Sequence, residues 1–342
     1  MSARVRATWM APHVAVNGAI AALLVFTLAT TCTPVRASIA PSDVNPPARS
    51  ASPDDDELKE VVIVAPEPRY VAPTRRDRIG RIWAPVMING LGPFRLVLDT
   101  GASNSAIIGP VADALGIDLH NAPHVLLRGV TGKAVVPLVQ AQTLTVGDLE
   151  LTKVKLPIVI DALGGAQGVL GTEGFEDKRV LIDFRNDLIV IRHSRMDRAA
   201  PDMEVVPFHR EKGLLVVDAL VGGVRTRAII DTGGQASIGN SALRDKLIGR
   251  RRREEATRDV IIGATDDEQA GEGYTAPEIA LNDIRVQGAH ITFGDMSIFE
   301  HWGMVSQPAI LLGMDTLGLL DTLIIDYRRH ELQIRLAQKS RS

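Results

Sequence analysis

The tripeptide Asp-Thr-Gly occurs twice in this chain, at Asp99–Gly101 and at Asp231–Gly233. Each copy directly follows a run of branched apolar residues, in FRLVLDTGASNSAII and in TRAIIDTGGQASIG. An aspartate in a turn just after a buried strand is costly unless its charge is stabilised or shared. One copy alone would indicate a structural acid more often than a catalytic one. Two copies in matching surroundings indicate that the two carboxyl groups act together.

Two carboxyl groups that reach one water molecule can perform acid–base chemistry. Like charges at close range cannot both ionise easily, so one group keeps its proton while the other is a base. The ionised carboxylate removes a proton from water, and the protonated carboxyl polarises a scissile carbonyl. Such a pair requires no metal, no nucleophilic side chain and no cofactor, and we expect none.

The elements that must position these aspartates are also repeated. A strand, a glycine-containing turn and a second strand precede each aspartate, which predicts a hairpin that ends at the carboxyl group. A short helix is predicted after each copy, in GPVADALG and in NSALRDKLIG, the second with Asn240 or Ser241 as its N-cap. A pair of strands is then predicted in each half, at Leu144–Val159 and at Ile279–Phe293.

Two later signals complete the repeat. An apolar run, a glycine and an acid two positions later occur in Gly168–Phe175 and in Ala309–Gly318. The stretches Leu181–Arg192 and Ile324–Arg335 match at an aspartate, an aromatic residue and an arginine. Five matched features in the same order predict two homologous, mostly-β lobes.

The neighbours of the two aspartates suit a shared site. Thr100 and Thr232 are expected to form hydrogen bonds across the lobe interface and to lock the two loops together. Gly101 and Gly233 let backbone N–H groups approach the carboxylates without an intervening β-carbon.

The chain resembles retropepsin-type aspartic proteases, with both lobes fused in one polypeptide as in the pepsin superfamily. The motifs LVLDTGAS, AIIDTGGQAS, GVLGTEG and ILLGMD carry this resemblance, which extends from about Ile82 to Leu336. It implies an all-β fold with a few short helices, built as two pseudo-symmetric lobes with the active site in the cleft between them. It also implies that Asp99 and Asp231 are the catalytic dyad, and that flaps close over the cleft.

Two glycine-containing stretches are the flap candidates, Arg128–Val136 and Ile261–Gly273. One flap in each lobe would resemble retroviral proteases more than pepsins, which have a single flap carrying a tyrosine. The substrate-binding candidates at the two tips are Val130, Thr131, Gly132, Gly263, Ala264 and Thr265.

The residue three positions after each aspartate lacks a hydroxyl group, since it is Ala102 in one copy and Gly234 in the other. A missing hydrogen bond to the ionised form leaves the lower apparent pKa of the pair less depressed. We therefore expect a pH optimum that is mildly rather than strongly acidic.

The full chain divides into five predicted segments. They are a signal peptide or N-terminal anchor (1–40), a disordered Pro- and acid-rich linker or propeptide (41–78), an N-terminal lobe (79–192), an inter-lobe linker (193–207) and a C-terminal lobe (208–342). The first segment has Arg4 and Arg6 before an apolar stretch and small residues after it, which predicts export to the periplasm or outside the cell. An uncleaved membrane anchor is the alternative.

Composition argues against several other partners. The net charge is −3 with a pI of about 6.3, which does not suggest a nucleic-acid binder. The eight histidines form no metal-binding pattern. His301 and Trp302 are either packing residues or part of a substrate subsite. We expect a monomer, because fusion already supplies both aspartates.

These features predict an exported aspartic endopeptidase that acts on peptides or unfolded proteins. The alternative is a catalytically silent peptide-binding module that uses the same inter-lobe cleft. Both Asp-Thr-Gly copies are intact, which favours catalysis.

Overall fold

The computed structural model describes residues 18–21, 70–73, 81–161, 163–248, 256–263, 265, 267–276 and 278–336 of the 342. Strands dominate these ranges, and four short helices accompany them. The strands are β1 (Gly18–Ala21), β2 (Tyr70–Pro73), β3 (Trp83–Ile88), β4 (Leu91–Leu98), β5 (Ala106–Ile108), β6 (His124–Arg128), β7 (Lys133–Val146), β8 (Leu149–Val159), β9 (Gly168–Leu170), β10 (Lys178–Asp183), β11 (Leu188–His193), β12 (Glu204–Pro207), β13 (His209–Glu211), β14 (Leu214–Val221), β15 (Val224–Ile230), β16 (Ser237–Gly239), β17 (Thr257–Gly263), β18 (Glu268–Thr275), β19 (Ile279–Leu281), β20 (Ile284–Val286), β21 (His290–Phe293), β22 (Ala309–Leu312), β23 (Leu320–Asp326) and β24 (Glu331–Leu336). The helices are α1 (Gly109–Ala114), α2 (Ser241–Ile248), α3 (Ser297–Trp302) and α4 (Met314–Leu317).

The N-terminal lobe is built on a seven-stranded sheet in the order β3-β4-β9-β5-β8-β7-β6. Strand β3 alternates half-buried and buried residues, as expected of a strand with one face on the core. The end of β4 is different, because Leu96, Val97 and Leu98 are all buried. This stretch pairs with β3 on one side and, in parallel, with β9 on the other. A central strand covered on both faces requires such a continuous apolar run.

The C-terminal lobe repeats this arrangement in a larger sheet, ordered β1-β17-β18-β21-β16-β22-β15-β14-β19-β20, with β13 paired to β14. Strand β15 pairs in parallel with β22 at Ile230 and Leu312, as β4 pairs with β9 at Leu98 and Leu170. Strands β5 and β16 also correspond, since each is antiparallel to one of these partners and parallel to another strand. The prediction of an all-β fold with two repeated lobes is confirmed.

A third sheet takes strands from both halves, in the order β12-β24-β23-β10-β11-β2. Strand β10 of the first half pairs antiparallel with β23 of the second. At this junction the buried Arg179 Nη1 lies 3.0 Å from Asp326 Oδ2, and Ser194 Oγ donates to Asp326 Oδ1 at 2.7 Å. The buried Asp326 carboxylate therefore has both an opposite charge and a hydroxyl donor, which compensate for its removal from water.

The predicted short helices correspond to α1 and α2. Pro110 stands in the first turn of α1. Asn240 Oδ1 accepts a hydrogen bond from the Leu243 N–H at 2.9 Å, so Asn240 rather than Ser241 is the N-cap of α2. Helices α3 and α4 were not predicted from the sequence.

The limits of the five predicted segments stay predictions. Strand β2 falls within the segment 41–78 and pairs with β11, whereas the rest of that segment lies outside the described residues. Of the segment 1–40, only β1 is described. Within the described part of the chain, none of the helices has the length and apolar character needed to cross a membrane.

Candidate active site

Each Asp-Thr-Gly aspartate lies one residue beyond the end of a buried strand. The Asp99 N–H donates to the Leu170 carbonyl at 3.0 Å, and the Asp231 N–H donates to the Leu312 carbonyl at 3.0 Å. The strand that carries the later glycine signal therefore holds the aspartate backbone in each lobe. This explains why both sequence signals recur in each half of the chain.

The two predicted dyad residues come together between the lobes. Asp99 is 0% exposed and Asp231 is 1% exposed. A β-carbon added to Gly233 would overlap the Asp99 carboxyl group, so only glycine fits where the loop of one lobe meets the carboxyl group of the other.

The backbone donors around the two carboxyl groups are unequal. Asp99 Oδ1 accepts one N–H, from Gly101 at 2.8 Å. Asp231 Oδ1 accepts two, from Gly233 at 3.0 Å and from Gly234 at 2.9 Å. Because N–H donors stabilise the ionised form, this asymmetry favours the negative charge on Asp231 and the proton on Asp99.

The pKa values follow the same asymmetry. Burial raises the pKa of Asp99 well above its usual range, and the neighbouring Asp231 charge raises it further. Burial also raises the pKa of Asp231, to about 6, but the Gly234 N–H, the Asp99 side chain and the Gly233 N–H oppose this rise. The pair therefore holds a proton at pH values where an exposed aspartic acid is fully ionised.

Arg81 is a further charged group near the pair, which we did not predict. It is fully buried just before β3, and its Nη2 donates to the Leu163 carbonyl at 2.6 Å. Its positive charge lowers the pKa of both Asp99 and Asp231. Arg81 is one of several arginines in this part of the sequence, and no local pattern distinguishes it as the one near the aspartates.

Thr100 and Thr232 lie in a reciprocal set of hydrogen bonds across the interface. Thr100 Oγ1 donates to the Ile230 carbonyl at 2.6 Å and accepts from the Thr232 N–H at 3.1 Å. Thr232 Oγ1 donates to the Leu98 carbonyl at 2.7 Å and accepts from the Thr100 N–H at 3.1 Å. Each hydroxyl group thus ties its own loop to the strand end of the opposite lobe.

A serine and an acid support each Asp-Thr-Gly loop on the side away from the aspartate pair. In the first lobe the Ser105 N–H donates to Glu173 Oε1 at 2.6 Å, and Ser105 Oγ accepts from the Gly171 N–H at 3.0 Å. In the second lobe the acid is Asp315, which accepts hydrogen bonds from the Ser237 N–H at 2.8 Å and from the Ser237 hydroxyl at 2.7 Å. Ser237 Oγ accepts in turn from the Gly313 N–H at 3.2 Å. The repeat of an acid after the glycine was visible in the sequence, but its serine partner was not.

The two acids differ in how well they are satisfied. Burial raises the pKa of Glu173 to about 7 against the hydrogen bonds from Ser105, and its Oε2 has no hydrogen-bond partner among the described residues. Burial raises the pKa of Asp315 as well, but both of its oxygens accept hydrogen bonds. Glu173 is therefore the support that depends more on pH.

The predicted flaps are hairpins, formed by β6 and β7 in the first lobe and by β17 and β18 in the second. Their tips touch: a β-carbon at Gly132 would overlap the Asp267 carboxylate, and one at Gly263 would overlap the Thr131 hydroxyl. The Thr265 hydroxyl donates to Asp267 Oδ2 at 2.9 Å. Ala264, the remaining candidate of the second tip, lies outside the described residues.

Val130 lies deeper than expected of a residue at a hairpin tip. It is fully buried in an apolar cluster of the second lobe that includes Ile298 and Trp302. The Val130 carbonyl accepts from Ser297 Oγ at 3.1 Å and from the Ile298 N–H at 3.3 Å. The first hairpin is thus anchored on helix α3, and Val130 would need to leave this cluster before it could contact a peptide.

Trp302 has a packing role. It is buried and meets Phe299 edge-to-face with 6.1 Å between ring centroids. His301, the other residue of this pair, is half-buried. No group of three or more His, Cys, Asp or Glu side chains suited to a metal occurs within the described ranges.

The sequence matches the model of a known protein family. A family model described as aspartyl protease matches residues 84–173 and 217–316, which together are more than half of the chain. The chain belongs to the aspartyl protease family. No curated protein matches it significantly. Each matched region contains one Asp-Thr-Gly copy and the later glycine-acid signal, so the family match coincides with the repeat that the structure shows.

Replacement of Thr100 by valine tests the hydrogen bonds between the lobes. It would leave the Ile230 carbonyl and the Thr232 N–H buried without this partner, and we expect a loss of about 2–4 kcal/mol in the free energy of unfolding. Thr100→Ser keeps the hydroxyl group and should cost about 1 kcal/mol or less. Urea unfolding of the two variants measures the difference. A loss in Thr100→Val of about 1 kcal/mol or less, no larger than that in Thr100→Ser, would contradict the role given to these hydrogen bonds.

Replacement of Glu173 by glutamine tests whether this buried carboxyl group makes the stability of the protein depend on pH. A pKa raised from 4.5 to about 7 means that folding favours the protonated form, so this group makes the protein less stable as pH rises through that interval. The effect amounts to roughly 3 kcal/mol across the window. Glu173→Gln should remove this contribution to the dependence of the free energy of unfolding on pH, and it should stabilise the protein above pH 7. The control Glu150→Gln, at an exposed position on β8, should do neither. An unchanged slope in Glu173→Gln would contradict the assignment.

Proposed function

We propose that this aspartyl protease is an exported endopeptidase that cleaves peptide bonds with a water molecule activated by Asp99 and Asp231. The main support for this proposal is that the Asp99 and Asp231 carboxyl groups are buried together between the lobes, with raised pKa values and unequal numbers of N–H donors. The two threonines fix the loops that hold them. Membership of the family supports a peptide as the substrate.

The unequal donors assign the two roles. Asp231, with two N–H donors, is the carboxylate that takes a proton from water. The hydroxide that forms attacks the carbonyl carbon, while Asp99 gives its proton to the carbonyl oxygen. In the second half of the reaction Asp231 returns its proton to the amide nitrogen as the C–N bond breaks. Asp99 regains a proton from a hydroxyl group of the intermediate, and the pair returns to its starting state.

Substrate entry requires a change in the hairpins. Both aspartates are at most 1% exposed, and the two hairpin tips touch each other. We infer that the hairpins separate to admit an extended segment of peptide and then close on it. An extended or unfolded segment suits this route because a folded domain would not pass between two hairpins. Val130, Thr131, Gly132, Gly263, Ala264 and Thr265 stay the candidates for substrate contact at the tips.

The proposed location is the periplasm or the exterior of the cell. It is supported by the basic start and the apolar stretch of the first 40 residues, and any membrane association would be through this segment alone. One chain supplies both aspartates, which supports action as a monomer. No step of the proposed reaction uses a cofactor, a metal or a nucleic acid.

The test compares the full chain with its Asp99→Asn and Asp231→Asn variants on a denatured protein substrate. Each variant should lose about a thousandfold or more of kcat/KM, because the two carboxyl groups act as one unit. Asp118→Asn, at an exposed acid of the same lobe, should leave the rate unchanged.

Three outcomes would count against parts of this proposal. Cleavage that persists in both variants would overturn the proposed mechanism. Binding of peptides without cleavage by the wild type would favour the silent binding module. A rate maximum below about pH 3 would contradict the argument from Ala102 and Gly234, whereas the raised pKa values predict a mildly acidic optimum.

A further inference from the structure

Four basic groups meet where the first hairpin rests on the second lobe. They are Arg128, Lys133, Lys212 and His301, called here the basic cluster. Lys212 Nζ donates to the His301 carbonyl at 2.8 Å. Burial lowers the pKa of His301, and the charges of Arg128, Lys212 and Lys133 lower it further. Two segments that are distant in sequence, the first hairpin and the turn at Lys212, thus bring positive charge to the helix that carries His301.

This arrangement is electrostatically unfavourable as it stands. Arg128 and Lys133 are directly opposite each other in the β6–β7 hairpin, and like charges at such positions destabilise a sheet. Neither they nor Lys212 form an ion pair with a carboxylate of the described residues. The whole chain is slightly acidic, with a net charge of −3, so a basic composition does not account for the cluster. A concentration of unpaired positive charge attracts an anionic ligand.

The cluster lies between a catalytic loop and a candidate flap. The turn that carries Lys212 abuts the first catalytic loop, since a β-carbon at Gly213 would lie 3.2 Å from Ser103 Oγ. Ser103 follows Asp99 by four residues in that loop. On the other side, Arg128 and Lys133 flank the hairpin tip that is anchored on α3, the helix that also carries His301. A peptide held between the hairpin and the catalytic loop would pass this cluster.

We propose that the basic cluster is a subsite that binds the carboxylate of an aspartate or glutamate side chain in the substrate. The inference rests on the proposed endopeptidase function and names a substrate class for it. The Arg128 guanidinium offers a planar donor pair to a carboxylate, and the two lysines offer mobile point charges. Lys133 and Lys212 are exposed, so their ammonium groups are free to move toward a bound peptide.

Decapeptide libraries with one position fixed as Glu, Gln or Lys test this subsite. Cleavage is measured with the full-length wild type, and binding with the Asp231→Asn variant by fluorescence anisotropy of labelled libraries. At one position Glu should improve both kcat/KM and affinity over Gln by about tenfold, with Lys the poorest. About 0.5 M NaCl should reduce this advantage, because salt screens exposed charges.

The combined variant Lys133→Gln, Lys212→Gln should lose most of the advantage of Glu over Gln. Lys155→Gln, at an exposed lysine on β8, should keep it. The subsite would be overturned, even with normal cleavage, if Glu and Gln gave equal kcat/KM and equal affinity at every position. It would also be overturned if the double variant kept the full advantage of Glu over Gln. A preference for Glu in binding without any cleavage by the wild type would support the subsite and count against the endopeptidase.

Discussion

Two buried carboxyl groups that contact each other, those of Asp99 and Asp231, dictate how the residues around them are arranged. Two negative charges on neighbouring, fully buried groups would repel each other strongly, so the pair must retain a proton. In the proposed mechanism that proton makes one group an acid while the other is a base, and the unequal N–H donors favour Asp231 as the base. The positive charge of Arg81 stabilises the negative charge that remains on the pair, and so it lowers the pKa of both groups.

Hydrogen bonds and strand pairing at three levels hold the two lobes together around the aspartate pair. Four hydrogen bonds between the threonine hydroxyls and the opposite loops act at the site itself. Behind each loop, a serine is hydrogen-bonded to the later glycine and to the acid two positions after it. Farther away, the mixed sheet joins the halves through β10 and β23, with Arg179 and Asp326 at the junction. Rigid support at each level suits a site whose acid–base pair must stay aligned.

The fold and the meeting of the two aspartates could be predicted from the sequence because both are encoded by a local pattern that occurs twice. A strand, a tripeptide and a glycine signal are each readable within ten residues. The role of Arg81 and the partner of Glu173 could not be predicted this way, because each depends on contacts between distant residues. The burial of Val130 is a similar case: a hairpin tip was expected, but its apolar environment comes from the other lobe.

We expect Asp99 and Asp231 to titrate as one coupled pair. Carboxyl-carbon NMR of protein labelled with ¹³C-aspartate, assigned with Asp99→Asn and Asp231→Asn, measures this directly. We predict that one proton stays on the pair well above pH 4, and that replacement of either residue shifts the titration of the other. Two independent titrations near pH 4, each unaffected by loss of the partner, would contradict the account.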